Sequence, residues 1–340
     1  MRWWTFSTQF WIHGCDVSEK LLEVKNLHVT FETRRGDVRA VNDLSFSLGK
    51  GQTLGIVGES GSGKSVSMNA VMGLLRDTNV KISGEVFFNG QDLLKKNDQA
   101  MRSIRGKEIA MVFQDPMTAL TPVYSVGWHI VEQIRLHTQL SKKEAHNRAI
   151  EILDEVGIPD PARRVNQYPH EFSGGMRQRA IIAMALALNP SLLIADEPTT
   201  ALDVTIQAQI LDLLKRLQKQ HNSSIIIITH DMGVVSEIAD EVLVMYAGRP
   251  VERATKKALF DNPQHPYTQG LMNSVPRVDR PRSQHLDAIP GQPASLLNLP
   301  QGCAFSNRCT KVHAACTEVP AFIADATGHG SACFLVGDRS

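Results

Sequence analysis

A glycine-rich segment carries the clearest chemistry in the chain. Residues 58–65 read Gly-Glu-Ser-Gly-Ser-Gly-Lys-Ser and fit the pattern G-x-x-x-x-G-K-[ST]. Its glycines let the backbone curl so that successive N–H groups point at phosphate oxygens, at the positive end of the following helix. Lys64 would reach the β- and γ-phosphates, and the Ser65 hydroxyl would ligate Mg²⁺. A glycine-rich turn with an exposed lysine is the alternative, which the strand–turn–helix context weakens. We therefore predict a phosphate-binding loop.

Two adjacent carboxylates form the second half of this chemistry. Asp196 and Glu197 follow the apolar run Leu-Leu-Ile-Ala that begins at Leu192. A buried strand ending there would put an acid on the same sheet edge as the phosphate loop. Successive strand residues point to opposite sides, so the two acids should have different roles. Asp196 would hold Mg²⁺, directly or through water, and Glu197 would polarise the water that attacks the γ-phosphate. Alone, such a pair is more often solvated than catalytic, but after a phosphate loop the odds reverse in favour of catalysis.

The elements needed to position these residues are visible as hydrophobic patterns. Residues 53–57 are apolar apart from the first, as expected of a strand buried on both faces. Residues 21–57 otherwise show strand-and-hairpin patterns split by Gly36. Alternating strands and helices beyond residue 176 predict βαβ units, a parallel sheet and an α/β fold class. The predicted segments are helix 64–75, a helical region 125–156, helix 176–188, strand 191–196, helix 204–220, strand 225–229 and strand 242–246.

Composition limits the classes of function. The chain has 340 residues, with 36 Lys and Arg against 35 Asp and Glu, which favours one large domain with a smaller appendage and gives no charge footprint for nucleic acid. No run approaches the ~18 apolar residues that cross a bilayer, so we expect a soluble protein that reaches a membrane through a partner. Residues 1–20 are predicted to be an N-terminal extension without a signal peptide. Their aromatic residues suggest either an interfacial anchor or a frayed or misassigned start.

Further motifs identify the type of phosphate-loop protein that the sequence resembles. Residues 172–176, Phe-Ser-Gly-Gly-Met, resemble the signature segment of ABC ATPases, although Phe172 and Met176 stand where the family usually has Leu and Gln. Gln114 after Val-Phe resembles the Q-loop, Asp203 after Ala-Leu the D-loop, and His230 between Thr and Asp the switch histidine. Their order and spacing match an ABC nucleotide-binding domain across about residues 21–260.

The resemblance implies a P-loop NTPase of ABC type, with a RecA-like core, an antiparallel β subdomain and a helical subdomain at about residues 115–172. It also implies a head-to-tail dimer that holds two ATP molecules. His230 would contact the γ-phosphate, and Gln114 would help to hold Mg²⁺ and report on ATP to a membrane partner. The candidates for stacking on the adenine ring are Phe31 and the guanidinium planes of Arg34 and Arg35. By resemblance, ATP is bound by Gly58, Glu59, Ser60, Gly61, Ser62, Gly63, Lys64, Ser65, Gln114 and Asp196, and in trans by Ser173, Gly174, Gly175 and Met176.

Three longer segments resemble the dipeptide/oligopeptide/nickel importer group of ABC transporters. They are residues 113–122, 194–205 and 262–268, the last reading Asn-Pro-Gln-His-Pro-Tyr-Thr. The resemblance is strongest to a dipeptide-transporter ATPase of the first subunit type. It implies ATP-driven import of dipeptides across the bacterial inner membrane, with longer oligopeptides or nickel as alternatives. The implied partners are a second ATPase in a heterodimer, two permease subunits and a periplasmic substrate-binding protein. The chain would lie peripherally on the cytoplasmic face of that membrane.

Other ABC ATPases match less well. Repair types insert a long coiled coil between phosphate loop and signature, for which this chain has no room, and ribosomal types usually carry two such domains. An exporter subunit is a further alternative, but exporters rarely carry a His-Pro-Tyr-Thr element. A module that holds ATP without cleaving it would lack Glu197 or His230.

The last segment, residues 261–340, holds a cysteine cluster beyond a proline-rich linker at 276–302. Cys303, Cys309, Cys316 and Cys333 are spaced C-x5-C-x6-C-x16-C. Disulfides are disfavoured on a cytosolic surface, and structural zinc would usually show a C-x2-C knuckle. A four-thiolate [4Fe-4S] cluster fits the count and the resemblance to relatives with this tail, and unliganded thiols are the remaining alternative. We expect the cluster to be structural.

Overall fold

The computed structural model describes residues 20–75, 77–114, 119–200, 202–274 and 289–336. The predicted N-terminal extension therefore lies outside the described residues, apart from its last position. Residues 276–288 of the predicted linker and Ala201 of the predicted D-loop also lie outside them.

An antiparallel sheet forms from the first part of the chain. Its strands are β1 (Lys20–Thr33), β2 (Gly36–Gly49), β4 (Val80–Phe88) and β5 (Gln91–Asp92), in the order β2-β1-β4-β5. β1 and β2 pair as a long hairpin, as the sequence predicts. The hairpin turns at Gly36, whose φ of 122° lies in a region that favours glycine. This sheet packs against the phosphate-loop helix through a shared apolar core.

A second, eight-stranded sheet carries the predicted chemistry. Its strands are β3 (Thr53–Val57), β6 (Ile109–Val112), β7 (Leu192–Asp196), β8 (Ser224–Thr229), β9 (Glu241–Tyr246), β10 (Arg249–Thr255), β11 (Ile323–Ala324) and β12 (Gly330–Ser331). Their order in the sheet is β11-β12-β10-β9-β3-β8-β7-β6, and β6, β7, β8, β3 and β9 run parallel. This confirms the predicted α/β class, and the entirely buried β3, β7 and β8 explain the near-continuous apolar runs.

Helices cover this sheet and extend from it. In the described part of the chain they are α1 (Lys64–Val71), α2 (Asp98–Ile104), α3 (Val126–His137), α4 (Lys142–Glu155), α5 (Pro161–Arg164), α6 (Gly174–Leu186), α7 (Val204–His221), α8 (Met232–Ile238), α9 (Lys256–Asp261) and α10 (Pro266–Asn273). The predicted helix 64–75 ends early, because Gly73 adopts φ 62°. The helical region 125–156 is two helices, and Ser141 begins the second with a capping box to Glu144. None of the helices within the described ranges is long and apolar enough to cross a membrane.

The C-terminal residues fold back onto the sheet. Tyr267, which is fully buried, and Phe305 pack with residues of β9 and β10 in a separate core. β12 pairs with β10, and β11 pairs with β12. The described part of the predicted linker, residues 289–302, is not free: Ile289, Ala294, Leu296 and Leu299 pack against the same core. Residues 289–302 form no helix or strand, but their apolar side chains anchor the segment to this core.

Candidate active site

The phosphate loop lies between β3 and α1, as the sequence predicts. Gly58, Gly61 and Gly63 have φ values of 155°, 78° and 95°. A Cβ on Gly58 would lie 2.2 Å from the Met245 carbonyl oxygen, and one on Gly63 would lie 2.2 Å from that of Ala40. These two glycines are therefore needed both for backbone conformation and for space. Ser60 and Gly61 are exposed at the outer turn, Ser62 is buried and Ser65 is half-buried.

Lys64 is 4% exposed and is held by its own loop. Its Nζ donates to the carbonyl oxygens of Gly58 at 2.7 Å and Glu59 at 3.0 Å. Burial lowers the pKa of Lys64, and the carboxylates of Glu197, Asp196 and Glu59 act in the opposite direction. The ammonium is thus kept at the loop by carbonyl oxygens and three nearby acids.

Asp196 is the buried acid of the pair. It ends β7, it is 4% exposed, and its Oδ1 has no hydrogen-bond partner. Burial raises the pKa of Asp196, while a hydrogen bond with Ser65 lowers it. A buried carboxylate oxygen without a partner, next to a serine hydroxyl, is a donor set that suits Mg²⁺.

Glu197 lies at the centre of a polar cluster. Its Oε2 accepts hydrogen bonds from Gln114 Nε2 at 3.0 Å and Thr200 Oγ1 at 2.8 Å. Its Oε1 lies 3.2 Å from Nδ1 of His230, whose side chain is 60% exposed. Gln114 follows β6, Glu197 follows β7 and His230 follows β8, so three neighbouring parallel strands deliver these side chains to one edge of the sheet. The structure thus brings together three residues that the sequence could relate only by resemblance.

Two features of Glu197 are typical of functional residues. Its backbone adopts φ 47°, an uncommon conformation for a non-glycine residue, and its N–H donates to the Ile228 carbonyl. Burial would raise the pKa of Glu197, but the Thr200 hydroxyl and His230, together with the charge of Lys64, outweigh it and hold the pKa below its usual value. The carboxylate is therefore ionised at neutral pH and can accept a proton from water.

The signature segment belongs to a different part of the molecule. Ser173 caps α6, and its Oγ accepts the Met176 N–H at 3.3 Å. A Cβ on Gly174 would lie 3.8 Å from Leu202, and one on Gly175 would lie 2.9 Å from Ile206. Phe172 is buried, Met176 packs at the edge of the core, and Ser173 and Gly174 are exposed. Asp203 is also exposed and caps α7 through the Ile206 N–H. The cluster around Glu197 does not include these residues.

The candidates for adenine stacking are divided by the structure. Phe31 packs partly buried on the antiparallel sheet opposite Val38, whereas Arg34 and Arg35 are exposed in the hairpin turn. A cleft of about 320 Å³ adjoins the phosphate loop, with Val38 on one side and residues 293–297 on the other.

Several residues near the site were not predicted. Thr200 lies three residues after Glu197, and its hydroxyl donates to the Glu197 carboxylate. The Thr200 N–H also donates to the Glu197 carbonyl oxygen and closes a turn. A hydroxyl residue three positions after the acid could have indicated this contact from the sequence. Arg308 and Tyr267 contact Glu59 of the phosphate loop. They follow Glu59 by 249 and 208 positions, so no local pattern could have indicated the contact.

The predicted [4Fe-4S] cluster is wrong. In the described ranges, no group of three or more His, Cys, Asp or Glu side chains could hold a metal ion. The same finding removes zinc, and Cys303, Cys309, Cys316 and Cys333 are free. Metal ligation needs thiolates, whereas burial raises the pKa of both Cys303 and Cys333. The prediction rested on the match between four cysteines and the four ligands of such a cluster, and that match alone does not make a metal site.

The fold defines the class of protein. The chain superimposes on the dimeric ABC transporter cassette MJ0796 with a TM-score of 0.62 and 28% identity, over 69% of this chain and 98% of that one. A second match is cbiO1 from Clostridium perfringens, part of an ABC transporter complex, with a TM-score of 0.61, 28% identity, and 72% and 91% of the two chains covered. The predicted ABC-type cassette fold is therefore confirmed.

Sequence relatives define the family more closely. Residues 41–200 match the ABC transporter family, and residues 251–316 match the C-terminal region of oligopeptide/dipeptide transporters. An oligopeptide transport ATP-binding protein of Salmonella typhimurium is 52% identical, with 92% of this chain and 93% of the relative covered. A dipeptide transport ATP-binding protein of Bacillus subtilis is 51% identical, with 95% and 96% covered. The chain belongs to this family of ABC transporter ATPases.

Proposed function

We propose that this chain hydrolyses ATP to power the import of peptides, dipeptides in particular, across a bacterial inner membrane. The observation that carries the proposal is the cluster in which Gln114, Thr200 and His230 converge on an ionised Glu197. The relatives named for oligopeptide and dipeptide transport support the peptide substrate.

In the proposed reaction, ATP lies on residues 58–65 with its β- and γ-phosphates near Lys64. Glu197 polarises the attacking water, and its lowered pKa supports this role because only the carboxylate can act as a base. His230, whose Nδ1 lies 3.2 Å from Glu197 Oε1, contacts the γ-phosphate. The dependence of hydrolysis on a positioned base and charge stabilisation is general for phosphoryl transfer.

Ser65, Gln114 and Asp196 would hold Mg²⁺, and the unpartnered Asp196 Oδ1 supports this assignment. Bound there, the ion would neutralise charge on the phosphate oxygens.

Assembly completes the proposed site. Ser173, Gly174, Gly175 and Met176 would cover the ATP of a second, different ATPase, and Asp203 would lie at the same interface. The exposure of Ser173 and Gly174 at a helix N-terminus supports this, since such a terminus attracts phosphate. Two permease subunits and a periplasmic binding protein complete the transporter, with this chain peripheral on the cytoplasmic face of the membrane.

We divide the chain for this purpose into an N-terminal extension (1–20), a nucleotide-binding domain (21–260, helical part about 115–172) and a Cys-bearing C-terminal extension (261–340). The match of residues 251–316 to the C-terminal region of oligopeptide/dipeptide transporters supports a distinct C-terminal segment.

Peptide uptake tests the proposal. Cells lacking peptide import receive the chain with its transporter partners, as wild type, as Glu197→Gln or as the control Glu237→Gln, which alters a surface ion pair with Lys215. We expect dipeptide uptake with wild type and control and its loss with Glu197→Gln. Uptake of a pentapeptide but not of dipeptides would move the substrate to longer peptides. Absence of both, from a complex that hydrolyses ATP, would contradict peptide import.

A further inference from the structure

The C-terminal residues reach back to the phosphate loop and hold one of its members, Glu59. Arg308 grips the carboxylate with both arms of its guanidinium: Nη1 lies 2.6 Å from Oε2, and Nη2 lies 3.0 Å from Oε1. Tyr267 holds the backbone of the same residue, because its Oη accepts the Glu59 N–H at 2.8 Å. We call Glu59, Tyr267 and Arg308 the clamp. Two-armed pairing of this kind fixes direction as well as distance.

The clamp is buried and rigidly supported. Arg308 is 7% exposed, Tyr267 is fully buried, and the two rings of Tyr246 and Phe305 pack against Tyr267 with centroids 4.7 and 5.4 Å away. The carbonyl oxygen of Pro290 accepts from Arg308 Nε at 2.8 Å, which fixes the guanidinium plane. A buried arginine that lost its carboxylate would be left uncompensated, so the pairing resists opening.

The same short stretch of backbone holds Lys64 from the other side. The carbonyl oxygens of Gly58 and Glu59 accept from Lys64 Nζ, while the Glu59 N–H and carboxylate are held by the clamp. The position of the lysine therefore depends on a peptide segment whose outer face is fixed by residues more than 200 positions later. The phosphate loop therefore already has a fixed conformation before ATP binds.

We propose that Arg308 and Tyr267 are positioning residues for ATP, which make the C-terminal segment a working part of the nucleotide site. This inference rests on the proposed function, since it requires that residues 58–65 bind ATP. The clamp residues do not touch the reacting atoms. They act through Glu59 by reducing the conformations that the loop must give up when ATP binds.

The linkage between ATP binding and formation of the clamp is reciprocal. If the clamp strengthens ATP binding, bound ATP must stabilise the contacts of the clamp by the same free energy. We therefore expect ATP to slow amide hydrogen exchange at residues 303–309, which lie outside the phosphate loop. A segment that is only fastened to the cassette would exchange at the same rate with and without ATP.

The test compares ATP binding and turnover in four variants of the full chain. Arg308→Met removes the positive charge, and Arg308→Lys keeps the charge but cannot pair with both carboxylate oxygens through two nitrogens. Tyr267→Phe removes the hydroxyl that accepts the Glu59 N–H. Arg253→Met is the matched control, because it breaks another arginine–carboxylate pair, that of the half-buried Arg253 with Glu241 on β9. The Kd for ATP with Mg²⁺ is measured by titration on the purified chain, and KM and kcat are measured in the assembled transporter.

We expect Arg308→Met to raise both Kd and KM about tenfold, with kcat at saturating ATP changed less than about threefold. Arg308→Lys should recover part of the affinity, Tyr267→Phe should lose about threefold, and Arg253→Met should match wild type. The slowing of amide hydrogen exchange by ATP at residues 303–309 should disappear in Arg308→Met and persist in wild type and Arg253→Met.

A Kd within twofold of wild type in folded Arg308→Met, or an equal loss of ATP affinity in Arg253→Met, would overturn the proposal. The clamp would then only attach the C-terminal segment to the rest of the chain. If Arg308→Met does not fold, Tyr267→Phe decides between the same outcomes. The proposed function fails separately: wild type would then bind no ATP, or Glu197→Gln would hydrolyse it normally.

Discussion

The phosphate-loop half and the signature half of this chain are built in opposite ways. Lys64 and Asp196 are each 4% exposed, and Glu197 has hydrogen-bond partners in its own turn, Thr200, and on two other segments of the same chain, Gln114 and His230. Ser173 and Gly174 are exposed, and the Ser173 hydroxyl caps its own helix. The first half is organised by its own fold. The second half presents donors to solvent, which is what a surface completed by another subunit requires.

This difference has an energetic logic. Charges aimed at a transition state are effective when they are fixed before the reaction and shielded from water. A single chain can fix one set in this way, around Lys64 and Glu197. In the proposed function, a second set on an exposed helix start contributes only when another subunit excludes water from it, so hydrolysis would depend on assembly.

The largest expected effect comes from crowding the preorganised half. In Gly58→Ala, the new Cβ would meet the Met245 carbonyl oxygen at 2.2 Å, at a φ of 155°. We expect ATP affinity to fall about a hundredfold or more, because the loop must move. Gly61→Ala is the comparison, since a Cβ there meets nothing within 4 Å at φ 78°. Titration with ATP measures both, and equal losses would show that space behind the loop is not the cause.

Ser173→Ala separates the two halves. In the isolated chain we expect unchanged ATP affinity and a loss of about 1 kcal/mol in stability from the missing cap. In the assembled transporter, hydrolysis should fall about tenfold to a hundredfold. Ser141→Ala removes an equivalent cap from α4 and controls for stability. Reduced ATP affinity of the isolated Ser173→Ala chain would mean that the signature serves its own nucleotide.

Thr200→Val tests how the ionised carboxylate is maintained. Loss of the hydroxyl removes one donor to Glu197 Oε2, so the pKa of Glu197 should rise. The acid limb of the ATPase pH profile should then move to higher pH, with about a fivefold loss of rate at neutral pH. A lower rate with an unshifted acid limb would argue against this role for Thr200.

The smallest expected effect is on stability. Burial raises the pKa of Asp196 above its unfolded value, so its ionisation costs stability above that folded pKa and costs nothing below the unfolded one. Without Mg²⁺, Asp196→Asn should therefore raise the free energy of unfolding at pH 7 by about 1 kcal/mol. The gain should vanish below about pH 4, where the unfolded carboxyl is also protonated. Urea unfolding across pH measures this, and a gain that persists at low pH would point to another cause.

The sequence predicted the elements better than their contacts. The apolar runs gave β3, β7 and β8 because strands buried on both faces cannot alternate. The glycine pattern gave the loop, and the parallel topology put Gln114, Glu197 and His230 at one edge. The contacts of Arg308 and Tyr267 with Glu59 depend on how a distant segment packs, which no periodicity encodes. The cysteine count failed because four thiols in one part of the chain are not by themselves a set of metal ligands, and the described residues contain no such set.

The most direct test of the account is single-turnover ATP hydrolysis by the assembled transporter, with wild type and Glu197→Gln measured side by side. ATP binding is measured on the same samples. We expect equal ATP binding and a hydrolysis rate at least about a hundredfold lower in the variant, because the amide cannot take a proton from water. Hydrolysis by Glu197→Gln at the wild-type rate would contradict the central claim, since the cluster around Glu197 would then not be the site of the reaction.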